Sequence, residues 1–198
     1  PEPTPDPTPE PAPFDDNITE MTEVWNFSGN ASLGSWLDIS DTGDYLRTIA
    51  FKDGKIYALH CKTGGTPAIK IIDAYTGAQT GSLSVNGIQN ALFKLSGIAV
   101  IGGKIVASSI SSANTNFYIY IWDNDSSDPR VLVTDSTHDG EVVGAQLSVS
   151  GDLNNGRLWI NNDGTSKLLF YSVSIGTASQ TPTVSNLTKS GAAFAGGN

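Results

Sequence analysis

Ala50-Phe51-Lys52-Asp53-Gly54-Lys55 returns as Ala99-Val100-Ile101-Gly102-Gly103-Lys104, and again as Ala193-Phe194-Ala195-Gly196-Gly197-Asn198. The first two copies are 49 residues apart and the last two are 94 apart, two steps of 47. A period of roughly 40–50 residues is that of a repeat in which each unit is one small antiparallel sheet, the blade of a β-propeller. The likeness runs on past the hexapeptide. Gly54-Lys55-Ile56-Tyr57-Ala58 matches Gly103-Lys104-Ile105-Val106-Ala107, with Gly156-Arg157-Leu158-Trp159-Ile160 as a looser third copy.

Each copy reads as a β-rich run, a glycine turn and a second strand. The runs are 48–51, 97–101 and 145–149, and the glycine supplies the positive φ that a tight hairpin turn needs. A third strand follows at 68–73, 117–123 and 168–174, and a more polar fourth at 78–85, 130–134 and 183–187. The expected fold class is therefore all-β, a β-propeller of about three four-stranded blades plus partial blades. Ala31-Ser32-Leu33-Gly34-Ser35-Trp36 resembles Ala78-Gln79-Thr80-Gly81-Ser82-Leu83, which adds an orphan outer strand ahead of the first unit. With an inner strand at 193–198, the count predicts a fragment of a longer propeller. The predicted division is a tether at 1–22 and the propeller domain at 23–198.

Composition agrees. The chain has 198 residues, 38% of them hydrophobic, and 21 glycines, which suits many short strands joined by turns. No window sustains a helical period, and no apolar run approaches the ~18 residues of a membrane span. The lone Cys61 forms no intrachain disulfide. Its parity with Tyr57 and Leu59 predicts a buried small hydrophobe.

Proline occupies every odd position from Pro1 to Pro13. Such a run favours polyproline II, a spacer on the order of 40 Å at about 3.1 Å per residue. It resembles the spacer that follows the lipidated cysteine of Bacteroidetes-type surface lipoproteins. That resemblance implies export to the outer membrane or cell surface, with the periplasm as second choice, and membrane contact only through a lipid anchor upstream of Pro1. Most of the net charge of −9 comes from seven carboxylates near the N-terminal end, Glu2, Asp6, Glu10, Asp15, Asp16, Glu20 and Glu23. Removing them leaves 13 acidic against 11 basic residues, a net of −2. The scattered cations form no basic stripe, which argues against nucleic acid as a partner.

Ile69-Lys70-Ile71-Ile72-Asp73-Ala74-Tyr75-Thr76-Gly77 is similar to the Asp-Ala-x-Thr-Gly blade signature of quinoprotein-like bacterial β-propellers. Asp73 is expected to accept turn amides and Gly77 to turn left-handed. The resemblance implies the fold. Only the first unit carries the string in full, so no quinone and no other cofactor is carried over. Asp123-Asn124-Asp125-Ser126-Ser127-Asp128 begins like a calcium loop but has Asp128 where glycine is needed, and reads as a solvated turn, not a metal site. His60 and His138 are the only histidines, neither in a nucleophile elbow nor at zinc spacing. Trp122 and Trp159 lie on strands, where packing between blades is the expected role.

The loops from an outer strand to the next inner strand differ from one another while the opposite turns repeat, which invites a binding role for the loops. Their candidate ligand-binding residues are Asp44, Tyr45, Arg47, Asn90, His138 and Asp139; no catalytic set is predicted. Three readings follow. The first is a surface-tethered, non-catalytic module that binds a glycan or protein. The second is a glycan lyase or hydrolase using Asp44 or Asp139 as acid or base beside Arg47 or His138. The third is a structural interaction platform.

Overall fold

The computed structural model describes residues 23–25, 45–61, 64–112, 115–137, 142–163 and 165–187. They form an all-β protein, with no helix among the described residues. Three antiparallel sheets follow one another along the chain. The first holds β1 (Tyr45–Lys52), β2 (Lys55–Cys61), β3 (Ala68–Asp73) and β4 (Gln79–Leu83) in sequential order. The second repeats that order with β5 (Phe93–Ile101), β6 (Lys104–Ile110), β7 (Phe117–Trp122) and β8 (Arg130–Asp135). In the third, β9 (Val143–Gly151), β10 (Gly156–Asn162) and β11 (Lys167–Ser174) are edged by β12 (Thr177–Ala178) and β13 (Thr183–Asn186), both paired with β11. The strands expected in the three full units are all present, while the orphan outer strand at 31–36 and the inner strand at 193–198 lie outside the described residues. The division of the last outer strand into two pieces was not expected from the sequence.

Two of the three inner hairpins close as the sequence suggests. Asp53 and Gly54 have φ of 51° and 72°, and Gly102 and Gly103 have 53° and 72°. Two consecutive positive φ values match the right-handed twist of the flanking strands. The third hairpin departs from the expectation. Gly156 begins β10 without a positive φ, and the connection is the longer Asp152–Asn155, with Gly151 carrying φ 72°. Asp152 Oδ1 accepts the amides of Asn154 at 2.7 Å and Asn155 at 2.9 Å, so a carboxylate does there what glycine does in the other two.

The sheets pack face against face with apolar cores between them. Tyr57, Leu59, Ile69 and Ile71 of the first sheet meet Ile105, Ala107, Tyr120 and Trp122 of the second. The other face of the second, with Val106, Ile119 and Ile121, meets Leu158, Ile160, Leu169 and Tyr171 of the third. This explains a sequence difference. Phe117 to Trp122 is apolar without alternation because both faces of β7 are covered, whereas β11 alternates buried and open positions along Leu169 to Ser174. Each fully buried large side chain in such a core contributes about 1.5–3 kcal/mol. Cys61 is also fully buried, as its parity suggests.

The first strands lie nearest one another, β1 beside β5 and β5 beside β9. Gly97 makes the second approach possible. A Cβ there would sit 2.6 Å from Leu147 Cβ and 2.8 Å from Leu147 N.

Candidate functional site

Of the six residues singled out on the variable loops, Asp44, His138 and Asp139 lie outside the described residues. Tyr45 opens β1 opposite Cys61. Arg47 and Asn90 are placed. Arg47 sits where the β1–β2 register shifts between Leu46 and Thr48, and the bulge aims its guanidinium at the second sheet. The cation lies 4.4 Å from the centre of the Phe93 ring, and Nη2 and Nε donate to Ser96 Oγ at 3.0 and 3.3 Å. Ser96 Oγ in turn donates to Ala145 O at 3.3 Å. Arg47, Ser96 and Ala145 are each 49 residues apart, so one repeat position on β1, β5 and β9 links the three first strands in a row.

Asn90 is exposed on the 84–92 connection, close in sequence to Phe93 and Ser96. That connection is pinned from below. The Gln89 amide donates to Tyr120 Oη at 2.9 Å, and Gln89 Nε2 donates to Gly87 O at 2.8 Å. Burial pushes the Tyr120 phenol up to about 12, against the lowering pull of the Gln89 amide, so it stays neutral. The structure therefore positions Arg47 and Asn90 at the end of the sheets away from the tight turns. It brings Arg47 to Phe93 and Ser96; it does not describe the surroundings of Asp44, His138 or Asp139.

The opposite end carries polar structure that the sequence reading passed over. Lys55 Nζ donates to Asp125 Oδ2 at 2.6 Å and Tyr57 Oη to Asp125 Oδ1 at 2.9 Å, so the turn after β7 is clasped to β2 of the preceding sheet. Burial pushes the Tyr57 phenol up, and its hydrogen bond to Asp125 pushes it further. Burial also pushes the Asp125 carboxyl up, but the Lys55 and Tyr57 hydrogen bonds together outweigh it and hold it below its ordinary value. The hydrogen bond to Asp125 raises Lys55 in return. A signal was present: Lys55 and Lys104 fall at one repeat position directly after the two tight turns, with Arg157 at the matching position of the third unit.

The other carboxylates of the calcium-like string have partners of their own. Asp123 pairs with Lys104 and lies 3.9 Å from Arg130 Nε. Asp128 Oδ1 accepts from Ser84 Oγ at 2.5 Å and from Asn86 Nδ2 at 3.2 Å. The three carboxylates thus serve three separate sets of partners, and no metal-binding group of three or more His, Cys, Asp or Glu occurs among the described residues. In the Asp73 turn, Oδ1 accepts the Tyr75 amide at 2.9 Å, the Thr76 amide at 2.8 Å and Thr76 Oγ1 at 3.0 Å, while Gly77 has φ 70°. The turn is built as the residues suggest. The Thr76 amide, with its hydroxyl and the Tyr75 amide, holds the Asp73 carboxyl below its usual value.

The two tryptophans differ. Trp122 is buried between the first two sheets and donates Nε1 to Ser84 O at 2.8 Å. Trp159 is half-buried beside Phe170, with ring centres 4.8 Å apart and the Arg157 cation 4.8 Å from the Phe170 ring.

A solved structure of a DUF4623 family protein from Bacteroides eggerthii is similar to this chain, with a TM-score of 0.65 and 21% identity over 80% of this chain and 38% of that one. At that identity the likeness shows the fold alone. This chain spans 38% of the length of that protein. No protein-family model matches the chain, and no curated protein matches it.

Proposed function

We propose that the chain is part of a β-propeller serving as a non-catalytic binding module, held off a cell surface by its proline-rich spacer, with a glycan or a protein as ligand. Three consecutive antiparallel sheets with adjacent first strands support the propeller reading. So does the position of Trp159. Its repeat equivalents Tyr57 and Val106 are fully buried beneath the next sheet, and a further blade would cover the Trp159–Phe170 pair in the same way.

The observation that carries the binding reading is the contrast between the two ends of the sheets. The tight turns at 53–54 and 102–103 repeat, whereas the connection bearing Asn90 exposes Asn86, Gly87, Gln89 and Asn90 and is hydrogen-bonded to Tyr120. Groups of that kind on a fixed scaffold suit recognition.

The test is a glycan array probed with the chain, followed by titration of each hit against Asn90→Ala and Arg47→Ala. A loss of tenfold or more in affinity for Asn90→Ala, with Tm unchanged, supports the loop end as the site. Affinity retained by both variants removes it. Release of product from a bound glycan would instead select the lyase or hydrolase reading.

A further inference from the structure

At the tight-turn end a cleft of about 390 Å³ opens between the first and second sheets. Ile71 and Gly81 form its non-polar part. They pair across β3 and β4, and a Cβ on Gly81 would meet only Ile71 Cδ1, at 3.8 Å, so bare backbone is presented there. The rest of the lining is polar. Lys55 and Asp125 contribute the clasp described above, and Asp73, Thr80 and Ser82 complete it.

The polar groups are fixed before any ligand arrives. Asp125 is held by Lys55 and Tyr57 together, and Asp73 by its own turn. The hydrogen bonds to Asp73 all go to Oδ1, which leaves Oδ2 as an acceptor. Thr80 Oγ1 donates to Ile71 O at 3.3 Å and Ser82 Oγ accepts from Gln79 Nε2 at 3.4 Å, so each hydroxyl keeps capacity in one direction. The lining thus offers carboxylate acceptors and an ammonium donor at close quarters.

That mixture selects among ligands. Two carboxylates against one ammonium give a net charge of −1, which opposes phosphate, sulfate or uronate groups. A ligand whose every polar group both donates and accepts fits it well, because each hydroxyl can bridge an acceptor and a donor of the wall. The volume lies at the small end of the roughly 300–1,000 Å³ range of small-molecule sites. We propose that this cleft binds a neutral sugar residue, lodged against the Gly81 backbone with its hydroxyls on Asp73, Asp125 and Lys55. It is separate from the Arg47–Asn90 end and does not rest on that end binding anything.

The test is a titration of the ¹⁵N-labelled chain with methyl glucoside, methyl galactoside and methyl mannoside, following backbone amide shifts. The expected result is saturable movement of the Gly81 and Ser82 amides with one or more of these probes. It is accompanied by at least a tenfold loss of affinity in Gly81→Leu, whose side chain fills the cleft from a position of ordinary backbone φ. Movement confined to the Asn90 connection would overturn the cleft while supporting the loop-end reading. No movement with any probe, unchanged affinity in Gly81→Leu, or tighter binding of glucuronate than of glucoside would overturn it as well. Should Gly81→Leu fail to fold, Asp73→Asn supplies the variant, since it keeps Oδ1 for the turn and removes the charge; unchanged affinity there overturns the proposal.

Discussion

Replacing Gly97 by alanine tests whether the first strands are packed as closely as described. The added methyl group would lie 2.6 Å from Leu147 Cβ, 2.7 Å from Ser108 Oγ and 2.8 Å from Leu147 N. Ser108 can rotate its hydroxyl away, but a backbone nitrogen and a Cβ move only if β9 moves. Overpacking of this kind costs about 1–3 kcal/mol. The lower chain entropy of alanine in the unfolded state returns about 0.4–1 kcal/mol, leaving a net loss of at most about 2.6 kcal/mol. For a chain of this size each kcal/mol shifts Tm by about 2–4 °C, so the expected fall reaches at most about 10 °C, and Gly97→Val should exceed it. Differential scanning calorimetry reads this directly. Trimming Leu147 to alanine should not restore stability, because the clash is with Cβ and backbone. Gly81→Ala is the control, its new methyl meeting only a side-chain end at ordinary distance. A Tm in Gly97→Val equal to that of Gly81→Ala would refute the close approach of β5 and β9.

Removing the buried carboxylate in Asp135→Ala should cost about 2–4 kcal/mol by denaturant titration. It strips the acceptor from the buried Tyr171 phenol, 2.7 Å away, and from Thr137. Asp125→Ala should be milder but measurable, since it orphans Tyr57 Oη as well as freeing Lys55; Tyr57→Phe combined with it should recover part of the loss. Stability should fall in acid. The folded values of Asp125, Asp73 and Asp152 lie below the unfolded ones, so their contributions are present above about pH 4 and vanish as pH drops through the lower folded values. Asp125→Asn should flatten that acid limb, and an unchanged slope would show the clasp to be irrelevant. Lys55 is raised, so its contribution is complete below its ordinary value near 10.4 and is lost only in stronger alkali. Deleting residues 1–13 should leave Tm unchanged, because alternating proline removes the backbone donors that docking would use; a drop of several degrees would contradict the spacer.

Much of the fold was legible because it depends on local chemistry that recurs. Gly54 and Gly103 announce turns by themselves, and β7 announces burial on both faces by lacking alternation. The third inner hairpin was misread because a glycine at a familiar offset looked like a turn residue. Asp152 had already made the turn, and Gly156 serves close packing, its Cβ position lying 2.3 Å from Asp152 O. The site was less legible. Arg47 is a loop-adjacent cation in the sequence, and only the bulge after Leu46 and the placement of β5 reveal its contact with Phe93 and Ser96. The Lys55–Asp125 pair spans 70 residues, and no periodicity reports which carboxylate of Asp123, Asp125 and Asp128 crosses to the neighbouring sheet.

The 49-residue relay from Arg47 through Ser96 to Ala145 has a consequence for how the protein comes apart. Each member touches only the next, and the sheets likewise share cores only with their immediate neighbours. Cooperativity in such a row passes from neighbour to neighbour, and no single nucleus holds all of it. The second sheet, gripped on both sides among the described residues, is then the slowest to exchange its amides. Opening proceeds inward from whichever flanking sheet loses its own cover first.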